Sequence, residues 1–281
     1  MGKIIITGDS SWDMPRELLG AELVSIPLCI ILGDKEYLDG VSLTNDDIYA
    51  YAESSGKTPK TAATPPAAYE EVFAKQFAAG ADGIVHIALS SGVSACHDNA
   101  AEAAKKFKNV YVVDSKSLSS GSALVALYAR DLAGEGLLAA EIAQKAEARR
   151  DKVQCSFVVD KLEFLHKGGR CSGLARFAST VLRIKPTILM NERMSVGKKY
   201  IGVHFKSALS KYADDTFERC PEPDLKRVFI TYSVVEPDIL DMVKEKVAGK
   251  FKFEEVYVNP AGSTVTSHCG KNTLGILFFN K

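Results

Sequence analysis

The sequence predicts an α/β protein in two domains, and three observations lead there. Short β-branched runs alternate with amphipathic stretches through the first 150 residues. Such alternation favours a parallel sheet covered by helices on both faces, because parallel neighbours must be joined by a crossover. The stretch 83–107 shows the unit most clearly: an apolar run at 84–89, a turn at Ser90-Ser91-Gly92, then an alanine-rich helical segment. Beyond residue 150 the pattern changes: apolar runs at 184–190 and 194–201 flank Asn191-Glu192-Arg193, which reads as a hairpin. The expected division is therefore 1–150 and 151–281, each half an α/β domain.

Strands are expected at 3–7, 84–89, 110–113, 156–159, 228–232 and 255–258, where β-branched residues cluster between turn signals. Helices are expected at 15–19, 46–54, 66–79, 95–107, 122–133, 138–150, 174–182, 206–219 and 238–248. Thr44 with Asp47 forms a capping-box pattern, in which side chains and backbone N–H groups pair reciprocally. Thr64 precedes Pro65 at a first helical turn, where the missing N–H does no harm. Tyr69, Val72, Phe73 and Phe77 fall on one stripe at helical spacing, as a core-facing helix requires. Ser94 is expected to cap the helix that follows it. The stretch 59–66 is a turn-rich loop, and no internal repeat or low-complexity tract is evident.

With 281 residues and 46% apolar side chains the chain can bury substantial cores. The 35 Lys and Arg balance 35 Asp and Glu, and no basic run tracks a phosphate backbone, which argues against nucleic acid. The start, Met-Gly-Lys-Ile-Ile-Ile-Thr, enters a strand at once without a signal-peptide pattern. No apolar run approaches the roughly 18 residues of a membrane span. The six scattered cysteines form no C-x-x-C pair and read as free thiols in a reducing cytoplasm. Clustered metal ligands are missing, so neither a metal nor a cofactor is expected.

Four polar clusters fall at strand ends or loop tips: Asp9-Ser10-Ser11, Thr61 to Pro65, Ser90 to Ser94, and Asp114 to Ser117. In a parallel sheet the carboxyl ends of the strands share one edge, where ligands bind. A fifth cluster, Thr266-Ser267-His268-Cys269-Gly270, lies in a polar loop near the C-terminus. Gathered at one edge, these groups would form a hydroxyl-lined pocket suited to an anion, helped by free N–H groups at a helix start. The plainer alternative is that the serines cap and fill turns, and that Asp9 and Asp114 form Asx turns.

Together these motifs resemble the DegV family of fatty-acid-binding proteins, the lipid-carrier subunits of bacterial fatty acid kinase. Ile4 to Pro15 is similar to the family's opening "TDS-x-x-D-L-P", Ile26-Pro27-Leu28 to "V-P-L", and Tyr37-Leu38-Asp39-Gly40 to "Y-x-D-G". Lys60 to Pro65 stands where the family has "K-T-S-Q-P", and Leu89 to Ser94 matches "L-S-S-G-L-S". Val113-Asp114-Ser115, Gly168-Gly169-Arg170-Cys171-Ser172 for "G-G-R-I-S", and Ile184-Lys185-Pro186 complete the series.

The resemblance implies two α/β domains with an apolar ligand tunnel between them. It implies that Thr61, Ser91, Ser94 and His268 hold a fatty acid carboxylate. It further implies that Arg170 docks the ATP-binding kinase subunit, with at most transient contact with a membrane surface. Ala62-Ala63 replaces Ser-Gln, Ala95-Cys96 replaces Gly-Thr, and Lys271-Asn272 replaces Pro-Gly, departures that bear on the head-group geometry. Burying a carboxylate without donors is costly, whereas hydroxyls and an imidazole satisfy its oxygens. The tail needs only burial: at about 0.8 kcal/mol per CH₂, a sixteen-carbon chain gains on the order of 10 kcal/mol before ordering costs.

Alternatives are weighed residue by residue. His86, inside an apolar strand, reads as a core residue, and His97, His166 and His204 as surface residues. Arg170 could simply cap the helix ending near His166, since cations favour that end. The competing function is an acyl or ester hydrolase using Ser91, His268 and Asp114. Against it, the segment Leu89 to Val93 lacks the first glycine of a G-x-S-x-G elbow. A P-loop motif is also missing, which argues against an ATPase or kinase activity of the chain's own.

Overall fold

Ile4, Ile5 and Ile6 begin a fully buried strand, β1 (Ile4–Asp9), the centre of the first half in this computed structural model, which describes residues 2–172 and 184–281. A 3-10 turn (Ser10–Trp12) and another (Arg16–Leu18) lead to β2 (Leu23–Ile26), β3 (Cys29–Leu32) and β4 (Lys35–Leu38). The helix expected at 15–19 is thus a single 3-10 turn. Then come α1 (Asn45–Ser55), β5 (Lys60–Ala62), α2 (Pro66–Ala78), β6 (Gly83–Ala88), α3 (Cys96–Ala104), β7 (Val110–Asp114), α4 (Ser120–Gly134) and α5 (Ala139–Arg150).

Strands β2, β1, β6 and β7 form the expected parallel sheet in that order, with Ile6 opposite Val85 and Ile84 opposite Val110. The capping box holds as read, whereas the start of α2 falls one residue later than the Thr64-Pro65 signal placed it, with Pro65 at its N-cap and the Thr64 hydroxyl donating to the Pro27 carbonyl. Thr44 and Asp47 close a capping box on α1, and Pro66 occupies the first turn of α2, whose Tyr69 and Phe73 are completely buried. A second, antiparallel sheet, β4-β3-β5, was not expected from the sequence. It takes the segment of Thr61 out of the expected loop and pairs it with Ile30.

The second half contains β8 (Val153–Gln154), β9 (Ser156–Val159), α6 (Glu163–Gly168), β10 (Cys171–Ser172), β11 (Ile184–Asn191) and β12 (Arg193–Ile201). It continues with α7 (Phe205–Arg219), β13 (Pro223–Ser233), α8 (Pro237–Lys250), β14 (Glu255–Pro260), α9 (Ser263–Cys269) and β15 (Thr273–Asn280). The helix expected at 174–182 lies outside the described residues. The hairpin is present: β11 and β12 pair antiparallel about Glu192, which takes a positive φ of 65°. The sheet runs β10-β12-β11-β9-β15-β13-β14, with β8 also pairing β15. β15, a continuous apolar run without alternation, was unexpected yet lies between β9 and β13.

Through 120–127 every residue of α4 is buried. A helix apolar on all sides belongs inside a core, and α4 packs against β1 and β6 as well as β13 and β15. One apolar cluster accordingly joins Ile6, Val85 and Leu124 with Phe157, Ile188, Phe229 and Leu277. The hairpin tip reaches the first sheet's carboxyl edge: Ser90 Oγ donates to the Glu192 carbonyl at 2.6 Å, and Glu192 N–H to the Lys116 carbonyl at 3.0 Å.

Candidate functional site

His268 sits on α9 and not in a loop as the sequence suggested. The helix is short and would be marginal alone, but the first half of the chain holds its start. Asp39 Oδ1 accepts from Ser263 N–H at 3.1 Å and Asp13 Oδ1 from Gly262 N–H at 2.8 Å. Asn45 Nδ2 donates to the Ala261 carbonyl at 2.8 Å, and Ser263 Oγ donates to Asn45 Oδ1 at 2.9 Å. Asp13 and Asp39 carry no function in the sequence reading beyond their motifs, and their role is visible only once α9 is.

Held this way, α9 turns Thr264, Val265, His268 and Cys269 toward a cavity of about 230 Å³. Leu28, Leu89, Leu118, Leu165 and Met194 supply apolar wall, and Thr61, Ala62 and Ala63 come from the end of β5 and the residue after it. The bond between Thr61 Oγ1 and His268 Nε2 spans 2.8 Å. Burial, with the neighbouring Arg170 charge adding to it, pushes the imidazole from its ordinary 6.5 down to about 4, so His268 is neutral near pH 7. Its Nδ1 is buried without a hydrogen-bond partner among the described residues. Gly168, the last residue of α6, lies against this atom: a Cβ there would stand 2.6 Å from Nδ1, a close approach that favours glycine.

The other expected site residues divide. Ser94 lines the cavity, but it is not a helix cap: α3 starts at Cys96 after Ala95, and Ser94 Oγ accepts from Cys96 N–H at 3.2 Å in a local turn. Ser91 does not reach the cavity. It is exposed, and its Oγ donates to Asp114 Oδ2 at 2.6 Å, because Asp114 ends the adjacent parallel strand and is the acceptor at hand. Arg170 is exposed on the cavity rim and donates to the Gly168 carbonyl at 2.7 Å, in keeping with a helix-end cation. The carboxylate of Asp9 is turned inward, accepting from Tyr69 OH at 2.5 Å and Leu89 N–H at 2.7 Å. His86 is a core residue, its Nδ1 bonded to Thr7 Oγ1 at 2.9 Å.

The triad required by the hydrolase alternative is not assembled. Ser91 bonds Asp114 directly, and His268 bonds Thr61 instead of Ser91. Of the three departures, Ala62, Ala63 and Ala95 line the cavity, and the first two make it less polar. Lys271 pairs outside it with Glu53 at 2.7 Å, and Asn272 N–H donates to the Val234 carbonyl. Ser11, part of a polar cluster read from the sequence but given no role there, also lines the cavity, as does Thr264, which had no sequence signal of its own. Thr264 would have been found by its spacing of four from His268, had 263–269 been read as helical. Among the described residues no group of three or more His, Cys, Asp or Glu could hold a metal ion.

Comparison with known proteins gives a consistent match along the chain. The family model described as "Uncharacterised protein, DegV family" matches residues 3–281. Protein DegV of Bacillus subtilis (strain 168) is 26% identical over 281 residues, covering 97% of this chain and 98% of that protein. A DegV family protein from Thermus thermophilus, described for its fatty acid binding, superposes with a TM-score of 0.90 at 26% identity, covering 99% of this chain and 100% of that one. The fatty acid kinase B3 protein of Streptococcus pneumoniae, loaded with linoleic acid, shares the fold with a TM-score of 0.87 at 20% identity, covering 99% and 100% of the two chains.

Proposed function

The chain belongs to the DegV family, and from that premise we propose that it binds one long-chain fatty acid in the cavity beside α9 and presents the carboxylate to a separate ATP-binding kinase subunit. The observation that carries this is the Thr61–His268 pair standing over an apolar cavity. A neutral imidazole has one N–H. If Nε2 carries it and donates to Thr61, the threonine O–H is left to donate to a ligand oxygen. If Nδ1 carries it, Thr61 donates to Nε2, and Nδ1–H is the spare donor. The first tautomer is the one that keeps a proton for the carboxylate, with Ser94 beside it on the same wall, since Nδ1 is buried against Gly168.

The apolar wall supplies affinity through the tail, and the pair supplies orientation. One carboxylate oxygen then remains to attack the γ-phosphorus of ATP on the kinase, releasing ADP and leaving an acyl phosphate. Arg170, exposed at the rim, is the docking residue in this scheme. Ser91 is left out of the head-group set, since its hydroxyl is engaged by Asp114. No helix among the described residues is long and apolar enough to cross a membrane. The scheme assigns the protein to the cytoplasm, with domains 1–150 and 151–281 closing over the ligand.

Protein purified without added lipid should yield about one equivalent of fatty acid on organic extraction. Mixed with ATP and its kinase subunit, it should give acyl phosphate, trapped as a hydroxamate. Thr61→Val should weaken fatty acid binding about tenfold, the expected effect of losing one hydrogen bond to a charged group. An empty chain that turns over a chromogenic ester, with turnover abolished by Ser91→Ala, would establish the hydrolase instead.

A further inference from the structure

Among the motif residues that this scheme leaves without a task, Asp39 is the best placed. It follows β4 and is 4% exposed. Its Oδ1 accepts from the N–H of Ser263, the first residue of α9, at 3.1 Å. Its Oδ2 accepts from Ser10 Oγ at 2.8 Å, and Ser10 Oγ in turn accepts from Leu28 N–H at 3.0 Å. The backbone closes the ring, since Asp39 N–H donates to the Leu28 carbonyl at 2.9 Å. Leu28 is cavity wall and leads directly into β3.

The small sheet β4-β3-β5 therefore reaches both halves of the head-group pair. Through β5 it carries Thr61, which lies opposite Ile30, and Ile30 lies opposite Tyr37 on β4. Two residues beyond Tyr37, Asp39 holds the start of the helix that carries His268. From Ser263 to His268 that helix rises only about 7.5 Å, so a shift at its start is felt at the imidazole. Asp13 and Asn45 tether the same start, but from the turn after β1 and from α1, neither of which carries Thr61. A helix this short does not hold its own position. Asp39 is thus the tether that ties His268 to the sheet of its hydrogen-bond partner.

We infer that Asp39 is a positioning residue for head-group binding and phosphoryl transfer, acting through α9 to hold His268 against Thr61. The inference rests on the fatty-acid function above and deepens it. Without this tether His268 no longer fixes the Thr61 hydroxyl, and the ligand carboxylate loses a donor aimed at it. The tail keeps its burial.

The test compares hexadecanoic acid with hexadecan-1-ol, which has the same tail and no carboxylate, as displacers of a fluorescent fatty acid from the full chain. The parent should favour the acid by about tenfold, the effect of one hydrogen bond to a charged group. Asp39→Ala should bring that ratio toward one and leave the affinity for the alcohol unchanged. With ATP, the kinase subunit and saturating acid, its kcat for acyl phosphate should fall about a hundredfold, the effect of a displacement on the order of 1 Å. Asp39→Asn, which keeps an acceptor for Ser263 N–H, should restore most of both. Asn45→Ala removes the bonds to Ala261 and Ser263 at the same helix start, and should shift the ratio in the same direction even if Asp39→Ala does not fold. A ratio unchanged in every folded variant overturns the inference and leaves fatty acid binding intact. Equal losses for acid and alcohol, the mark of a merely structural role, also overturn it. A parent that binds neither compound overturns the function, and the inference with it.

Discussion

Burial moves acids and bases in opposite directions in this protein. Desolvation raises Asp9 from 3.8 to about 6 and Asp13 from 3.8 to about 7. It lowers His86 from 6.5 to about 3 and His268 from 6.5 to about 4. Between about pH 4 and 6 the native state therefore holds protons on the two aspartates that the unfolded chain has released. The unfolded chain holds protons on the two histidines that the native state lacks. Raised acids make stability fall as pH rises, lowered bases make it rise, and the four nearly cancel. Asp13→Asn deletes one raised acid. Its stability relative to the parent should climb across this window by about 1.4 kcal/mol per pH unit, read from thermal melts at stepped pH. Parallel profiles for the two proteins would show that Asp13 does not titrate there.

At the level of elements, the contact between hairpin and loop is the most demanding. A Cβ on Gly92 would collide with the Glu192 carbonyl oxygen, the same oxygen that accepts from Ser90 Oγ. Gly92→Ala should therefore cost about 1–3 kcal/mol in urea titrations, as overpacking does. Gly134→Ala, with open space around it, should be neutral or stabilising. A Gly92→Ala protein as stable as the parent would mean that the hairpin tip is not seated there. Elements with strong local signals were legible in the sequence: β6 by its apolar run, α1 by its capping box, α2 by its stripe. The sheet β4-β3-β5 was not, because three strands of three or four residues carry too little pattern. Nor was α9, a seven-residue helix whose existence depends on Asp13, Asp39 and Asn45 far away in sequence. Thr61, Ser94 and His268 were found through motifs. The departure of Ser91 toward Asp114 was not, since it depends on which strand neighbours β6.

For the molecule as a whole, α4 is the helix that packs against both the four-stranded parallel sheet and the large sheet of the second half. Leu124 is 1% exposed in the cluster that joins the halves. Leu124→Ala should lower stability by about 2–5 kcal/mol, the usual effect of such a truncation in a core. Because the cluster is continuous, unfolding followed by the single tryptophan, Trp12, should coincide with unfolding followed by far-UV circular dichroism. Two separated transitions would mean that the halves melt independently.

Thr61 and His268 meet across 207 positions of chain, one arriving from the small antiparallel sheet and the other from the last helix. Such a clasp has one jaw on each side. Parting the jaws would free the cargo's head and uncover its tail in a single stroke, so loading and unloading would share one latch.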